Sequence, residues 1–149
     1  MLIRDMSREM SVSLLKGVHL GRIACARGSQ PYVTPFSFAH HGGSLYSFAN
    51  VGKKIEWMRA NPLVCVEVDE IVTRREWQSV VIFGQYEELP DKPEFGEARV
   101  LAHDLLSETA SWWEPSFAKS LRKGAVHASE AIYFRISIDE MSGRQAMAA

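Results

Sequence analysis

The segment Asn50-Val51-Gly52-Lys53-Lys54-Ile55 puts a glycine and two adjacent lysines where a loop runs into a helix. A first helical turn ordinarily favours carboxylates, because the helix start already carries partial positive charge. Two lysines there cost stability unless an anion offsets them. Free backbone N–H groups, the dipole and two ammonium groups together suit a phosphate. The plainer reading, two solvated lysines on a surface helix, stands beside it. Just upstream, Thr34-Pro35-Phe36-Ser37-Phe38 and Leu45-Tyr46-Ser47-Phe48 offer hydroxyls, backbone groups and aromatic faces on what read as paired strands. A flat, partly apolar ligand with a phosphate tail fits that set. Alternation along a strand also sends half of those side chains inward, so some of the rings fill a core.

Other chemistries find less support. His19, His40, His41, His103 and His127 form no HExxH arrangement, and no Cys/His group has zinc-finger spacing. His40 and His41 stand beside two glycines and read as a solvated hairpin tip, so no metal is expected. There is no GxSxG elbow and neither standard nucleotide cradle. Ser37 and Ser47 are therefore read as hydrogen-bonding groups rather than nucleophiles. Cys25 and Cys65 lie in strand-like runs, IACA and LVCVEV, and read as small buried hydrophobes.

The elements that must hold these residues follow from periodicity. Met6, Met10 and Leu14 recur at helical spacing over Asp5–Lys16, with Asp5 or Ser7 to cap the start and Gly17 placed for a C-cap. Leu20–Ala26, Pro31–Ala39, Ser44–Ala49, Leu63–Val68, Trp77–Leu89 and Ala131–Ile138 read as strands, separated by turn compositions. Asp69–Glu76 reads as a charged loop. Lys53–Asn61 is helical and stops at Asn61-Pro62. Glu94–Leu106 is a further helix, Ser107–Gly124 is loop-like despite Trp112, Trp113 and Phe117, and the tail after Met141 reads as frayed. Six or so antiparallel strands with two or three helices predict a mainly β fold, a β-barrel with added helices.

The chain has 149 residues, 17 basic against 18 acidic, and is 46% hydrophobic. That length predicts a single domain over residues 1–149. A formal net charge of −1 removes the electrostatic case for a nucleic-acid partner. No apolar run is long enough to span a bilayer, so no membrane is expected. The N-terminus has no signal-peptide h-region, and the cytoplasm is the expected compartment.

Gly21-Arg22-Ile23-Ala24, Pro31-Tyr32-Val33-Thr34-Pro35-Phe36-Ser37-Phe38, Gly43-x-Leu45-Tyr46 and Gly52-Lys53-Lys54-x-x-x-Met58-x-x-Asn61-Pro62 together resemble the pyridoxamine 5′-phosphate oxidase-like family. Within it, they are most similar to the nitroimidazole-resistance-related branch. Trp77-Gln78-Ser79-Val80-Val81-x-x-Gly84 and Phe134-Arg135-Ile136-x-Ile138 through Gly143-Arg144 extend the likeness over nearly the whole chain.

The resemblance implies an FMN-binding split barrel that works as a homodimer, with FMN in clefts between the subunits. Carried over by position, Thr34, Pro35, Phe36 and Ser37 line the isoalloxazine ring, mostly through backbone groups. Ser47 and Phe48 flank the ribityl chain. Gly52, Lys53 and Lys54 hold the phosphate, and Gln78 and Ser79 reach the flavin. Trp112 and Trp113 are expected to close the cleft from the partner. Phe48 stands where members of this branch often carry a histidine, so no catalytic residue is assigned. The chain also lacks the closing arginine- and histidine-bearing segment of true pyridoxamine phosphate oxidases. The activity implied is a flavin-dependent oxidoreductase, passing electrons from a reduced donor to a small oxidised acceptor such as a nitro compound or quinone. Flavin supplies that chemistry itself, so no acid–base pair is required. The alternatives are a flavin carrier or sensor without turnover, or a haem- or deazaflavin-binding split barrel.

Overall fold

A computed structural model describes residues 1–109 and 131–148. The chain opens with strand β1 (Leu2–Asp5) and helix α1 (Arg8–Gly17). Ser7 caps α1: its hydroxyl accepts from the Met10 N–H at 3.2 Å, while Leu14 and Leu15 turn into the core. Gly17 falls inside this helix and is not its cap. Val18 leaves in extended conformation, its N–H closing on the Leu14 carbonyl at 3.1 Å, so no left-handed residue is needed.

Strands β2 (Leu20–Arg27), β3 (Gln30–Ser37), β4 (Ala39–His41) and β5 (Ser44–Asn50) follow. Gly28 and Gly42, both at φ 59°, turn the β2–β3 and β4–β5 hairpins in a backbone region that favours glycine. After helix α2 (Lys53–Ala60) come β6 (Leu63–Thr73) and β7 (Glu76–Glu88). A 3₁₀ turn at Pro93–Phe95 leads into helix α3 (Gly96–Thr109), and β8 (Ala131–Ser137) and β9 (Glu140–Met147) complete the described chain.

The strands pair antiparallel in the order β3-β2-β6-β7-β8-β5-β4, with β9 also on β7 and β1 on β9. β7 holds the two parts together. Its residues Trp77–Phe83 pair with both β6 and β9, and Tyr86–Glu88 pair with β8. The open ends meet where the Ser47 hydroxyl donates to the Ser37 carbonyl at 2.6 Å, while the Phe38 N–H continues the β2–β3 pairing to the His19 carbonyl at 2.9 Å. Phe36, Phe38, Phe134, Val66, Ile82 and Ile136 fill the interior together with Leu14 and Leu15 of α1 and Ile55 and Met58 of α2. Each such side chain contributes about 1.5–3 kcal/mol on burial. A second core, Tyr46, Leu89, Ala102 and Leu106, lies between α3 and the outer side of β5.

The mainly β expectation with added helices holds, and the count of six strands is corrected to nine among the described residues. The expected loop at 69–76 is mostly strand: β6 and β7 run on as a ribbon to Thr73 and from Glu76. The tail expected to fray is β9, bonded to β7 on one side and β1 on the other. Its small polar residues are strand-forming here because both of its edges are paired. The expected 107–124 loop begins as the last turn of α3, since that helix reaches Thr109. Trp112, Trp113 and Phe117 lie outside the described residues.

Candidate functional site

Helix α2 starts at Lys53 with Gly52 in extended conformation, and no side chain caps its first N–H groups. A Cβ at Gly52 would meet nothing nearer than the Asn50 carbonyl oxygen at 3.9 Å, so the approach to these donors is open. Ile55 and Met58 anchor the helix in the barrel, which leaves the lysine turn at the rim. Lys53 is exposed, and its ammonium lies over the rings of Tyr32 and Trp57, 5.2 and 5.6 Å from their centroids. Trp57 comes from one turn further along α2, and Tyr32 from β3. The half-buried Lys54 points its charge toward β2. Burial pushes the Cys25 thiol up, and Lys54 partly opposes that rise.

The far end of α2 is clamped to β7. Arg59 donates through Nε and Nη2 to the two Glu88 carboxylate oxygens at 2.7 and 3.1 Å. The Tyr86 hydroxyl donates to Glu88 Oε1 at 2.7 Å. The Arg59 hydrogen bond holds the Glu88 carboxyl below its ordinary value, against the opposing effect of burial. A depressed folded-state pKa gives stability that is present above the unfolded value, near ~4.3, and is lost as pH falls through the folded one. Glu88→Gln is therefore expected to cost about 1 kcal/mol at pH 7. Urea denaturation should show the gap to wild type closing as pH drops below about 4.

β3 adjoins this helix. It stands at the end of the sheet order and pairs in register only with β2, so alternate backbone groups of its other edge are left out of a ladder. Thr34 is half-buried and Pro35 exposed on that strand. The Phe36 side chain is in the interior, 5.5 Å from Phe38 between ring centroids, and Ser37 is buried with its hydroxyl donating to the His19 carbonyl at 3.3 Å. What Phe36 and Ser37 can offer a ligand is therefore backbone. Ser47 faces inward and ties β5 to β3 through the bond already described. Phe48 points to the opposite side of β5, toward Tyr133 at 6.2 Å.

Gln78 and Ser79 are elsewhere. Ser79 lies in the cross-sheet row that Ser37 begins through Leu20, three strands away, a separation of roughly 14 Å at ordinary strand spacing. The Lys53 end of the site lies a further five or so residues along the strands, about 17 Å. A single copy thus brings Gly52, Lys53 and Lys54 to one rim, with Lys53 over Tyr32 of β3, and leaves Gln78 and Ser79 apart on β7. The Ser79 hydroxyl donates to Glu67 Oε2 at 3.2 Å, and Arg22 pairs with Asp69 at 3.7 Å on the same face. Burial, then the neighbouring Asp69, raises the Glu67 carboxyl above its usual range. Tyr32, Trp57 and this carboxylate cluster were not singled out from sequence. The i, i+4 spacing of Lys53 and Trp57 was the one available signal for the first group.

Among the described residues, no three or more His, Cys, Asp or Glu side chains are grouped to hold a metal ion. No helix among them is long and apolar enough to cross a membrane.

The chain and its fold have known counterparts. The chain is 41% identical over 148 residues to an uncharacterized protein of Rhizobium meliloti (strain 1021), across 99% of this chain and 98% of that one. The crystal structure of an FAD-binding protein from Mesorhizobium loti shares 45% identity with a TM-score of 0.83, covering 99% of this chain and 100% of that one. A candidate 5-nitroimidazole antibiotic resistance protein from Bacteroides thetaiotaomicron has the same fold, with a TM-score of 0.70 at 17% identity over 97% of this chain and 89% of that one. Residues 7–145, from the α1 cap to the β9 strand that completes the sheet, match the pattern of one family. The chain belongs to the pyridoxamine 5′-phosphate oxidase family.

Proposed function

We propose that the protein is an FMN-binding oxidoreductase, and that two copies form the cofactor cleft. The observation that carries this reading is the uncapped start of α2, with two lysines in its first turn and Lys53 over Tyr32 of β3, a strand whose other edge is unpaired. The donor set fits the phosphate end of a flavin. The edge of β3 fits a ring held through backbone groups, and Thr34 adds a half-buried hydroxyl on that strand. The FAD-binding relative at 45% identity supports a flavin rather than another planar ligand. Gln78 and Ser79 lie too far from their own α2 and serve the cleft of a second copy.

When bound, the flavin supplies the redox chemistry, taking electrons from a reduced donor and releasing them to a small oxidised acceptor. The residues of the chain orient it: α2 fixes the anion, β3 presents N–H and C=O groups, and Tyr32 and Trp57 cover the base of the lysine turn. The compartment that goes with this reading is the cytoplasm.

The test begins with the colour of the purified protein. Yellow protein that releases FMN on denaturation, identified by mass, is the expected result. Release of FAD would keep the flavin and change the phosphate count at α2. A Soret band in place of the flavin spectrum would overturn the reading. Anaerobic oxidation of NADH or NADPH with nitroaromatic or quinone acceptors then separates turnover from a flavin carrier, which would show bound flavin and no acceptor-dependent rate.

A further inference from the structure

The Lys53 ammonium rests over two ring faces at once, 5.2 Å from the Tyr32 centroid and 5.6 Å from that of Trp57. The two rings stand 5.6 Å apart between centroids with 58° between their planes, so they form an open V rather than a stack. Lys53 and Trp57 share a face of α2 at i, i+4 spacing, and β3 supplies Tyr32. Both rings pack against the barrel core and stay half-buried, while Lys53 is exposed.

Lys53 therefore covers aromatic surface that would otherwise meet water. It also stands in the first turn of a helix whose opening N–H groups no side chain caps. An anion at those groups draws the ammonium off the rings and leaves the V open. A ligand that brings both an anion and a flat ring completes the exchange: the phosphate takes Lys53, and the ring takes the place Lys53 leaves. A cationic ligand does not, because it competes with Lys53 for the rings and meets the positive end of α2.

We propose that Tyr32, Trp57 and Lys53 form a subsite for an adenosine 5′-phosphate group. Stacking on aromatic side chains tolerates any base, so the chemistry of the carriers decides which one comes. Dinucleotide flavins and nicotinamide dinucleotides both carry adenine, and one recognition chemistry thus has two sources. The proposal rests on the reading of a flavin phosphate at α2, and it names a group that FMN lacks. In a dinucleotide the two phosphates divide the lysines: Lys54 keeps the flavin's own phosphate, and Lys53 serves the adenylate.

Calorimetric titration of the full chain, stripped of any bound flavin, with AMP, adenosine and ribose 5-phosphate tests this. AMP is expected to bind about tenfold or more tightly than ribose 5-phosphate through stacking of the base. Tyr32→Leu and Trp57→Leu keep apolar volume without a ring face, and each should remove most of that advantage. Tyr32→Leu decides the point if Trp57→Leu fails to fold. Lys53→Ala should act with opposite signs, weakening AMP and tightening adenosine about two- to fivefold, because the rings need no longer be uncovered. A purely structural role for the three residues would not separate the two ligands. AMP no tighter than ribose 5-phosphate, or ring variants that weaken both equally, would overturn the subsite. FAD bound about tenfold more tightly than FMN, with AMP shut out by FAD, assigns the group to the cofactor's adenylate half. FAD and FMN bound alike, with AMP binding to the FMN-loaded protein in competition with NADH, assigns it to the reduced donor. AMP expelled by FMN, with FAD no tighter than FMN, would also overturn the subsite. Ring-dependent AMP binding in a protein that takes no flavin would instead overturn the flavin reading and leave the subsite standing.

Discussion

Replacing Lys53 and Lys54 together by alanine is expected to weaken FMN binding about a hundredfold and leave riboflavin binding nearly unchanged. The two flavins differ by the phosphate alone, so the comparison isolates the anion site from the ring site. A hydrogen bond to a charged group contributes about 1.5–3 kcal/mol. Two of them at a solvent-exposed rim come to roughly 3 kcal/mol after screening, which is about two decades in affinity. The single variants should differ. Lys53 leaves the rings of Tyr32 and Trp57 to reach a phosphate, forgoing about 0.5–1 kcal/mol of cation–π attraction. Lys53→Ala is therefore expected to cost less than Lys54→Ala. Lys16→Ala with Lys92→Ala is the charge-matched control, since both stand away from α2 and are exposed. Flavin fluorescence quenching on titration into apoprotein gives all the constants. Parallel losses for FMN and riboflavin, or equal losses in the control pair, would remove the phosphate from α2.

The lysine turn was legible in the sequence because its signal is local: a helix start, a glycine and two adjacent charges. The hairpins from β2 to β5 were legible for the same reason, since Gly28 and Gly42 mark their turns directly. What failed to read were elements whose strand character comes from partners distant in sequence. β9 carries Ser142, Gly143 and Gln145 and has little intrinsic strand preference, yet it is paired on both edges by β7 and β1. The 69–76 segment looked like a loop because its charges are many. In the sheet, Asp69 lies across from Ser79 and within reach of Arg22, so a charged stretch is accommodated as strand. For the site, sequence could nominate Gln78 and Ser79 only through family likeness. Their distance from α2 within one copy is a property of topology, set by β2 and β6 lying between β3 and β7. Ser47 illustrates the remaining gap. A buried hydroxyl at 1% exposure is a structural tie whether or not a ligand also visits, and composition cannot separate the two roles.

Gly84→Ala should be the most destabilising single-methyl change in the described chain, at about 3–5 kcal/mol, with a fall in melting temperature on the order of 10 °C. Gly84 lies on β7 between the stretch that pairs with β9 and the stretch that pairs with β8. β8 and β9 are joined by a short turn there, and the Ser137 carbonyl presses against the glycine. A Cβ at residue 84 would overlap that carbonyl oxygen, with the Ile136 side chain 3.1 Å away. Backbone cannot rotate aside as a side-chain tip can, so β7 and β8 must separate. The Gln85 N–H would then lose its 3.1 Å bond to the Ser137 hydroxyl, and the Tyr86–Ile136 register would be strained. Because β8 carries β5, the displacement reaches the Ser47–Ser37 tie that closes the sheet. Gly43→Ala is the control: a Cβ there meets nothing within 4 Å, and the change should stay within about 0.5 kcal/mol. Gly143→Ala falls between them, since the Ser11 hydroxyl 2.5 Å from the added methyl can turn away while Met6 Cβ at 3.1 Å cannot. Urea and thermal denaturation of the three variants should therefore rank Gly84→Ala, Gly143→Ala, Gly43→Ala in decreasing cost. A Gly84→Ala protein within 1 kcal/mol of wild type would mean that β7 and β8 are not locked at this crossing, and that the two parts of the sheet position the site independently.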